Sequence, residues 1–185
     1  FVFDAGGDPE WKRLANAILD RDDAVLAGTD STVADISINN NNLEVFTRII
    51  EDPRIDVAAK GNKLFYEACK LGKTELVSFL LGQDRVNPKC RDGKAVFMAI
   101  QNQHLEVVER LLNWRSAPAH HGSSTRIYVT EDHILGAVKT NNEDMVELLL
   151  KHCSKTTNVQ YKSWAYFWKQ ILASTPEIFA RVISN

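Results

Sequence analysis

Residues 61–90, GNKLFYEACKLGKTELVSFLLGQDRVNPKC, and residues 91–113, RDGKAVFMAIQNQHLEVVERLLN, carry one pattern written twice. Ala68 aligns with Ala99, Glu75 with Glu106, and Leu80-Leu81 with Leu111-Leu112, each pair 31 residues apart. A fixed period of this size marks a stacked-repeat protein, because each unit has an apolar face that it cannot bury alone.

The content of a copy says what the unit is. Leu64, Phe65, Ala68 and Cys69 share one side of a short helix, and after Gly72 so do Leu76, Val77, Leu80 and Leu81 on a second. The unit is a helical hairpin. Ala68 and Ala99 are small enough to let one helix approach the next, and Gly72 can take the left-handed conformation that ends a helix without a Cβ penalty.

The run Ala68-Cys69-Lys70-Leu71-Gly72-Lys73-Thr74-Glu75-Leu76-Val77-Ser78-Phe79-Leu80-Leu81, repeated from Ala99 to Leu112, resembles the ankyrin repeat. That family writes Ala-Ala-x-x-Gly-His-x-Glu-Val-Val-x-Leu-Leu-Leu at the corresponding place. Its Thr-Pro-Leu-His opening is not kept: Lys63-Leu64-Phe65-Tyr66 and Lys94-Ala95-Val96-Phe97 stand there instead. Asp52-Pro53-Arg54-Ile55-Asp56-Val57 is similar to the linking phrase of a divergent ankyrin variety, and Gln83-Asp84-Arg85-Val86-Asn87-Pro88 echoes it 31 residues later. The resemblance implies an all-α, ankyrin-like repeat solenoid of stacked helical hairpins with atypical terminal caps.

Stepping along the chain extends the pattern in both directions. Going back 31 residues from Glu75 reaches Glu44, followed by Val45-Phe46 and Ile49-Ile50, a clear second helix. Its partner over Thr32 to Ile38 puts Ser37 at the alanine position, and Asn39-Asn40-Asn41-Asn42 supplies the turn, since Asn tolerates the left-handed region. Going forward, the period breaks. Ala137 lies 38 residues after Ala99, so about seven residues are inserted within Trp114 to Val129, a Pro-, Gly- and Ser-containing stretch that reads as an extended finger or loop.

The ends differ from the middle. Asp8-Pro9-Glu10 reads as a helix start with Trp11, Leu14, Ala15, Ile18 and Leu19 on one face, and a second short helix follows from Asp22 to Ala27. Trp164, Phe167, Trp168, Ile171 and Leu172, then Ile178, Phe179, Val182 and Ile183, have helical spacing without the motif. The expected organisation is one domain, 1–185: an N-terminal cap pair at 8–28, repeats at 30–60, 61–91, 92–129 and 130–160, and a C-terminal cap pair at 161–185.

Composition fits a folded domain and excludes several roles. The 185 residues are 44% hydrophobic and 25% charged, enough apolar content for a core. A net charge of −2 gives no strong field toward nucleic acid or an anionic membrane. No apolar run approaches the roughly 18 residues that a span requires. Three cysteines, Cys69, Cys90 and Cys153, form no close pair, which points to reduced thiols in an intracellular, cytoplasmic setting. Phe-Val-Phe-Asp-Ala at the start is not a secretory signal, and the absence of an initial Met is compatible with a fragment.

Chemistry-bearing clusters are sparse. His120-His121, His133 and His152-Cys153 could ligate metal singly, but adjacent histidines in a loop do not give the two close pairs of a structural zinc site, so no metal is expected. No HExxH, GxSxG, GxGxxG or P-loop occurs, so neither catalysis nor a cofactor is expected. Lysine and arginine are spread over the helices, so nucleic-acid binding is not expected either.

Surface remains. If the ankyrin likeness holds, helix-one positions opposite the core line a concave strip: Glu67, Lys70 and Leu71, then Met98, Gln101 and Asn102, then Gly136, Lys139 and Thr140, flanked by Ile36, Asn39 and Asn40. Fingers around Lys60, Asn62, Arg91, Asp92 and Lys94 are expected to project beside it. Trp114, Arg115, Arg126 and Tyr128 in the inserted loop are further candidates, because Trp, Tyr and Arg dominate binding hot spots, although Trp114 could pack against its own repeat instead. The resemblance implies a non-catalytic module that binds a partner protein through this strip and loop. The alternative is a spacer or regulatory segment that contacts only other domains of its parent chain.

Overall fold

The computed structural model describes residues 13, 17, 20, 37–39, 43–53, 55–89, 93–115 and 127–153. Within them run seven α-helices: α1 (Leu43–Glu51), α2 (Ala59–Lys70), α3 (Thr74–Leu81), α4 (Lys94–Gln101), α5 (Leu105–Asn113), α6 (Glu131–Lys139) and α7 (Glu143–Cys153). A helical stretch at 37–39 precedes α1, and no strand occurs among the described residues. The terminal cap pairs expected at 8–28 and 161–185 lie outside the described residues, apart from positions 13, 17 and 20.

The helices form two rows. α2, α4 and α6 pack side by side in one; α1, α3, α5 and α7 do so in the other; the hairpins α2–α3, α4–α5 and α6–α7 join the rows. The 31-residue period explains this arrangement position by position. Val45, Leu76, Val107 and Met145 form one column, and Phe46, Val77, Val108 and Val146 a second. Ile49, Leu80, Leu111 and Leu149 form a third, and all twelve side chains are buried. Each fully buried aliphatic side chain is worth roughly 1.5–3 kcal/mol, whereas an exposed ion pair such as Arg48–Asp20 contributes about 0–1 kcal/mol. The columns therefore hold the stack together.

The helix-one row is tightened by small side chains. Ser37, Ala68, Ala99 and Ala137 occupy one column and are all fully buried. Gly136, expected on the open strip, is buried instead. A Cβ there would lie 3.1 Å from the Gln101 amide nitrogen and 3.3 Å from the Phe97 ring, so α4 has closed over it.

The turn between helices of a hairpin also repeats. Lys73 N–H donates to Ala68 C=O and Gly72 N–H to Cys69 C=O; His104 N–H donates to Ala99 C=O and Gln103 N–H to Ile100 C=O. This is the Schellman pattern, which satisfies the last carbonyls of a helix and requires a left-handed residue just past its end. Gly72 (φ 69°), Gln103 (φ 60°) and Asn141 (φ 53°) supply it. Only Gly72 faces a second constraint. The His104 ring lies against it and bonds through Nε2 to the Lys70 carbonyl at 2.9 Å. One repeat on, the shorter Asn142 takes the place of His104, which leaves room for the Gln103 side chain.

The linking phrase is equally regular. Ile55 and Val86 are buried, as are Val57 and Pro88. Asp56 Oδ1 accepts the Ala58 N–H at 3.0 Å, and Asn87 Oδ1 accepts the Lys89 N–H at 3.0 Å, one Asx turn in each repeat. Asn62 departs from the expectation that it projects. Lys60, Gly61 and Asn62 are consecutively left-handed, and Asn62 is buried, its Oδ1 accepting the Asn87 N–H of the next finger at 2.9 Å. A side chain read as a projecting tip is a strut between repeats.

Candidate interaction surface

The helix-one strip is built from three equivalent turns. On α2, Glu67 and Lys70 are half-buried and ion-paired at 3.4 Å, and Leu71 at its end is 38% exposed. On α4, Met98 is half-buried while Gln101 and Asn102 are exposed; the Asn102 amide donates back to the Met98 carbonyl at 2.8 Å. On α6, Lys139 is exposed, and the Thr140 hydroxyl donates to the Ala137 carbonyl at 2.8 Å. Asn102 and Thr140 thus hydrogen-bond back to their own helix ends, and Leu71, Gln101, Asn102 and Lys139 are the exposed members.

The fingers contribute unequally. Lys60 and Lys94 are exposed at the starts of α2 and α4. Asn39 is helical and exposed; Ile36, Asn40, Arg91, Asp92 and Arg126 lie outside the described residues. Of the stretch 114–129, residues 114–115 and 127–129 are described. Trp114 is half-buried against the core, and its indole N–H donates to the Leu81 carbonyl at 3.3 Å, a bridge to the preceding repeat. Arg115 closes the end of α5 by donating to Leu112 C=O at 3.0 Å and Trp114 C=O at 2.8 Å. The chain then returns with Ile127 and Val129 buried and Tyr128 between them 46% exposed, the alternation of an extended segment.

One pairing escaped the reading of the motif. Thr130 and His133 form a capping box at the start of α6, with the Thr130 N–H donating to His133 Nδ1 at 3.1 Å. The signal was present as Thr130-x-x-His133 before an apolar run. His133 is buried, and burial lowers its pKa, partly opposed by the Asp132 charge. Accepting a hydrogen bond at Nδ1 requires the neutral ring. Below about pH 6.5, the value for a free histidine, the unfolded chain takes up a proton that the native state resists. Stability therefore falls as pH drops from there through the lowered native pKa. His133→Gln keeps the cap acceptor without titrating. Thermal melts in this pH window are expected to flatten in the variant relative to the parent; identical pH slopes would contradict the assignment.

Among the described residues no His, Cys, Asp or Glu group of three or more is placed to hold a metal. No described helix is long and apolar enough to cross a membrane. His120 and His121 lie outside the described residues, and Cys69 is a buried free thiol.

Comparison with protein families matches residues 34–121 to ankyrin repeats in three copies. Residues 34–121 belong to the ankyrin repeat family. No curated protein and no solved structure matches the chain. The matched ankyrin span takes in the 37–39 stretch and α1 to α5; α6 and α7 lie beyond it and continue its columns with Met145, Val146 and Leu149. Ankyrin repeats are generally protein–protein interaction modules, and the family is typically non-enzymatic.

Proposed function

We propose that this ankyrin-repeat chain is a non-catalytic module that binds a partner protein across its helix-one and finger face. One observation carries the reading: the exposed large hydrophobic side chains among the described residues are Leu71 and Tyr128, two of the positions the proposal assigns to this face. Met98 lies half-buried on the helix between them, and Glu67, Lys70, Gln101, Asn102 and Lys139 make the polar surround. An apolar centre with a polar rim is the composition of a protein interface. Arg91 and Arg126 belong to the proposed face by sequence position. Asn62 and Trp114, occupied within the stack, act as its supports. The sparse cysteines favour a reducing, cytoplasmic setting for the partner.

The test uses the purified 185-residue chain as bait, followed by direct titration of the captured protein against single variants. Met98→Glu and Tyr128→Ala are each expected to weaken binding at least about tenfold, roughly 1.4 kcal/mol, with unchanged circular dichroism. Unaltered affinity in both variants would overturn this face. Capture of nothing but covalent neighbours in the parent chain would favour the spacer reading.

A further inference from the structure

We infer that the occupant of this face is an acidic, extended peptide segment of the partner, a reading that rests on the interaction surface proposed above. The two rows of helices differ in charge. Glu44, Glu75, Glu106 and Asp144 form an exposed acidic column on the helix-two row. Glu109 and Glu147 add to it, against the exposed cations Arg48, Arg110 and Lys151. Every helix of that row has an acid in its first turn, where the helix dipole favours one.

The helix-one row inverts this rule at α2 and α4. Neither has an acid in its first turn, and both have lysine at the equivalent position, half-buried Lys63 and exposed Lys94, with Lys60 and Lys139 exposed nearby. Lysine there adds to the positive end of the dipole instead of offsetting it. The acids of this row are Glu67, tied to Lys70, and Glu131 and Asp132 in the first turn of α6. The helix-one row is thus the more basic of the two, its helices carrying Lys60, Lys63, Lys70, Lys94 and Lys139 against Glu67, Glu131 and Asp132. An acidic partner is steered to that side and repelled from the other.

Geometry sets the size of the occupant. Three adjacent helices at about 8–10 Å spacing place the outer axes roughly 20 Å apart, which an extended chain at about 3.3 Å per residue crosses with roughly six residues. Leu71 ends one outer helix and Tyr128 lies on the extended segment that leads into the other, with Met98 on the helix between, so acidic side chains interspersed with apolar ones fit the surface.

The probe is a fluorescein-labelled octapeptide of alternating glutamate and leucine, with the lysine–leucine version as control, measured by anisotropy against the full chain. The glutamate peptide is expected to bind, to weaken at least about tenfold between 50 mM and 500 mM salt, and to weaken at least about tenfold in Lys94→Glu/Lys139→Glu. Lys94→Glu gives α4 the acid its dipole favours, so loss of binding in that variant is not loss of fold. Glu109→Lys on the opposite row is expected to leave affinity unchanged.

Failure of the glutamate peptide to bind, equal binding of the lysine peptide, or equal sensitivity to Glu109→Lys would overturn the inference. So would a single-stranded oligonucleotide displacing the peptide at lower concentration. A concentration-dependent mass in sedimentation, lost in Lys94→Glu and restored by adding Glu109→Lys, would make a second copy the occupant and likewise overturn it. If the peptide fails while a captured partner still depends on Met98 and Tyr128, the face stands and only its acidic ligand falls.

Discussion

Gly72→Ala is expected to lower stability by about 2–3 kcal/mol, far more than a single methyl on a half-buried turn suggests. The left-handed backbone at φ 69° costs a residue with a Cβ about 1–2 kcal/mol. The added methyl would also lie 2.8 Å from His104 Cγ and nearer still to Nδ1, so the ring must move. Moving it breaks the bond from His104 Nε2 to the Lys70 carbonyl, worth about 1 kcal/mol. For a chain of this size the melting temperature falls roughly 5–10 °C. His104→Ala removes the ring, so the pair Gly72→Ala and His104→Ala is expected to be less than additive by about 1 kcal/mol in a double-mutant cycle. Strict additivity would mean that the backbone alone sets the cost and that the ring contact is incidental.

Part of this contact is legible in the sequence and part is not. The left-handed need at Gly72 was legible, because it follows from one helix ending and another starting within a few residues. The second need was not, because the ring that forbids a Cβ comes from the next repeat and its orientation is set by a backbone carbonyl. The same division runs through the molecule. The columns from Val45 to Met145 and from Ser37 to Ala137 were legible because burial on one helix face imposes a period, and stacking imposes a second. Asn62 was misplaced because three consecutive left-handed residues turn its amide inward, and no spacing rule announces that. Gly136 is equivalent in position to the open strip but not in exposure, because its lack of a side chain lets Phe97 and Gln101 close over it. On the proposed face, periodicity groups Leu71, Met98 and Lys139, whereas the exposure of Tyr128 follows from the buried-exposed-buried alternation of 127–129.

The strongest test of the stack itself is Phe65→Ala. Phe65 is fully buried on α2, and its equivalents Val96 and Ile134 are smaller, so the neighbouring repeats cannot expand to fill the space it leaves. Loss of a buried phenyl costs about 3–5 kcal/mol, among the largest single effects expected in the described region; Phe79→Ala, half-buried on α3, is expected to cost less. The distribution of the damage matters more than its size. In a linear stack each hairpin is held by its neighbours, so a defect in α2 weakens its contacts with α3 and α4 and isolates α1 from the repeats beyond. Hydrogen exchange is therefore expected to rise most in α1, α2 and α3, with α6 and α7 keeping most of their protection. A uniform loss of protection from α1 to α7 would mean that the repeats share one cooperative core, and the nearest-neighbour account of how this chain holds its helices in register would have to be abandoned.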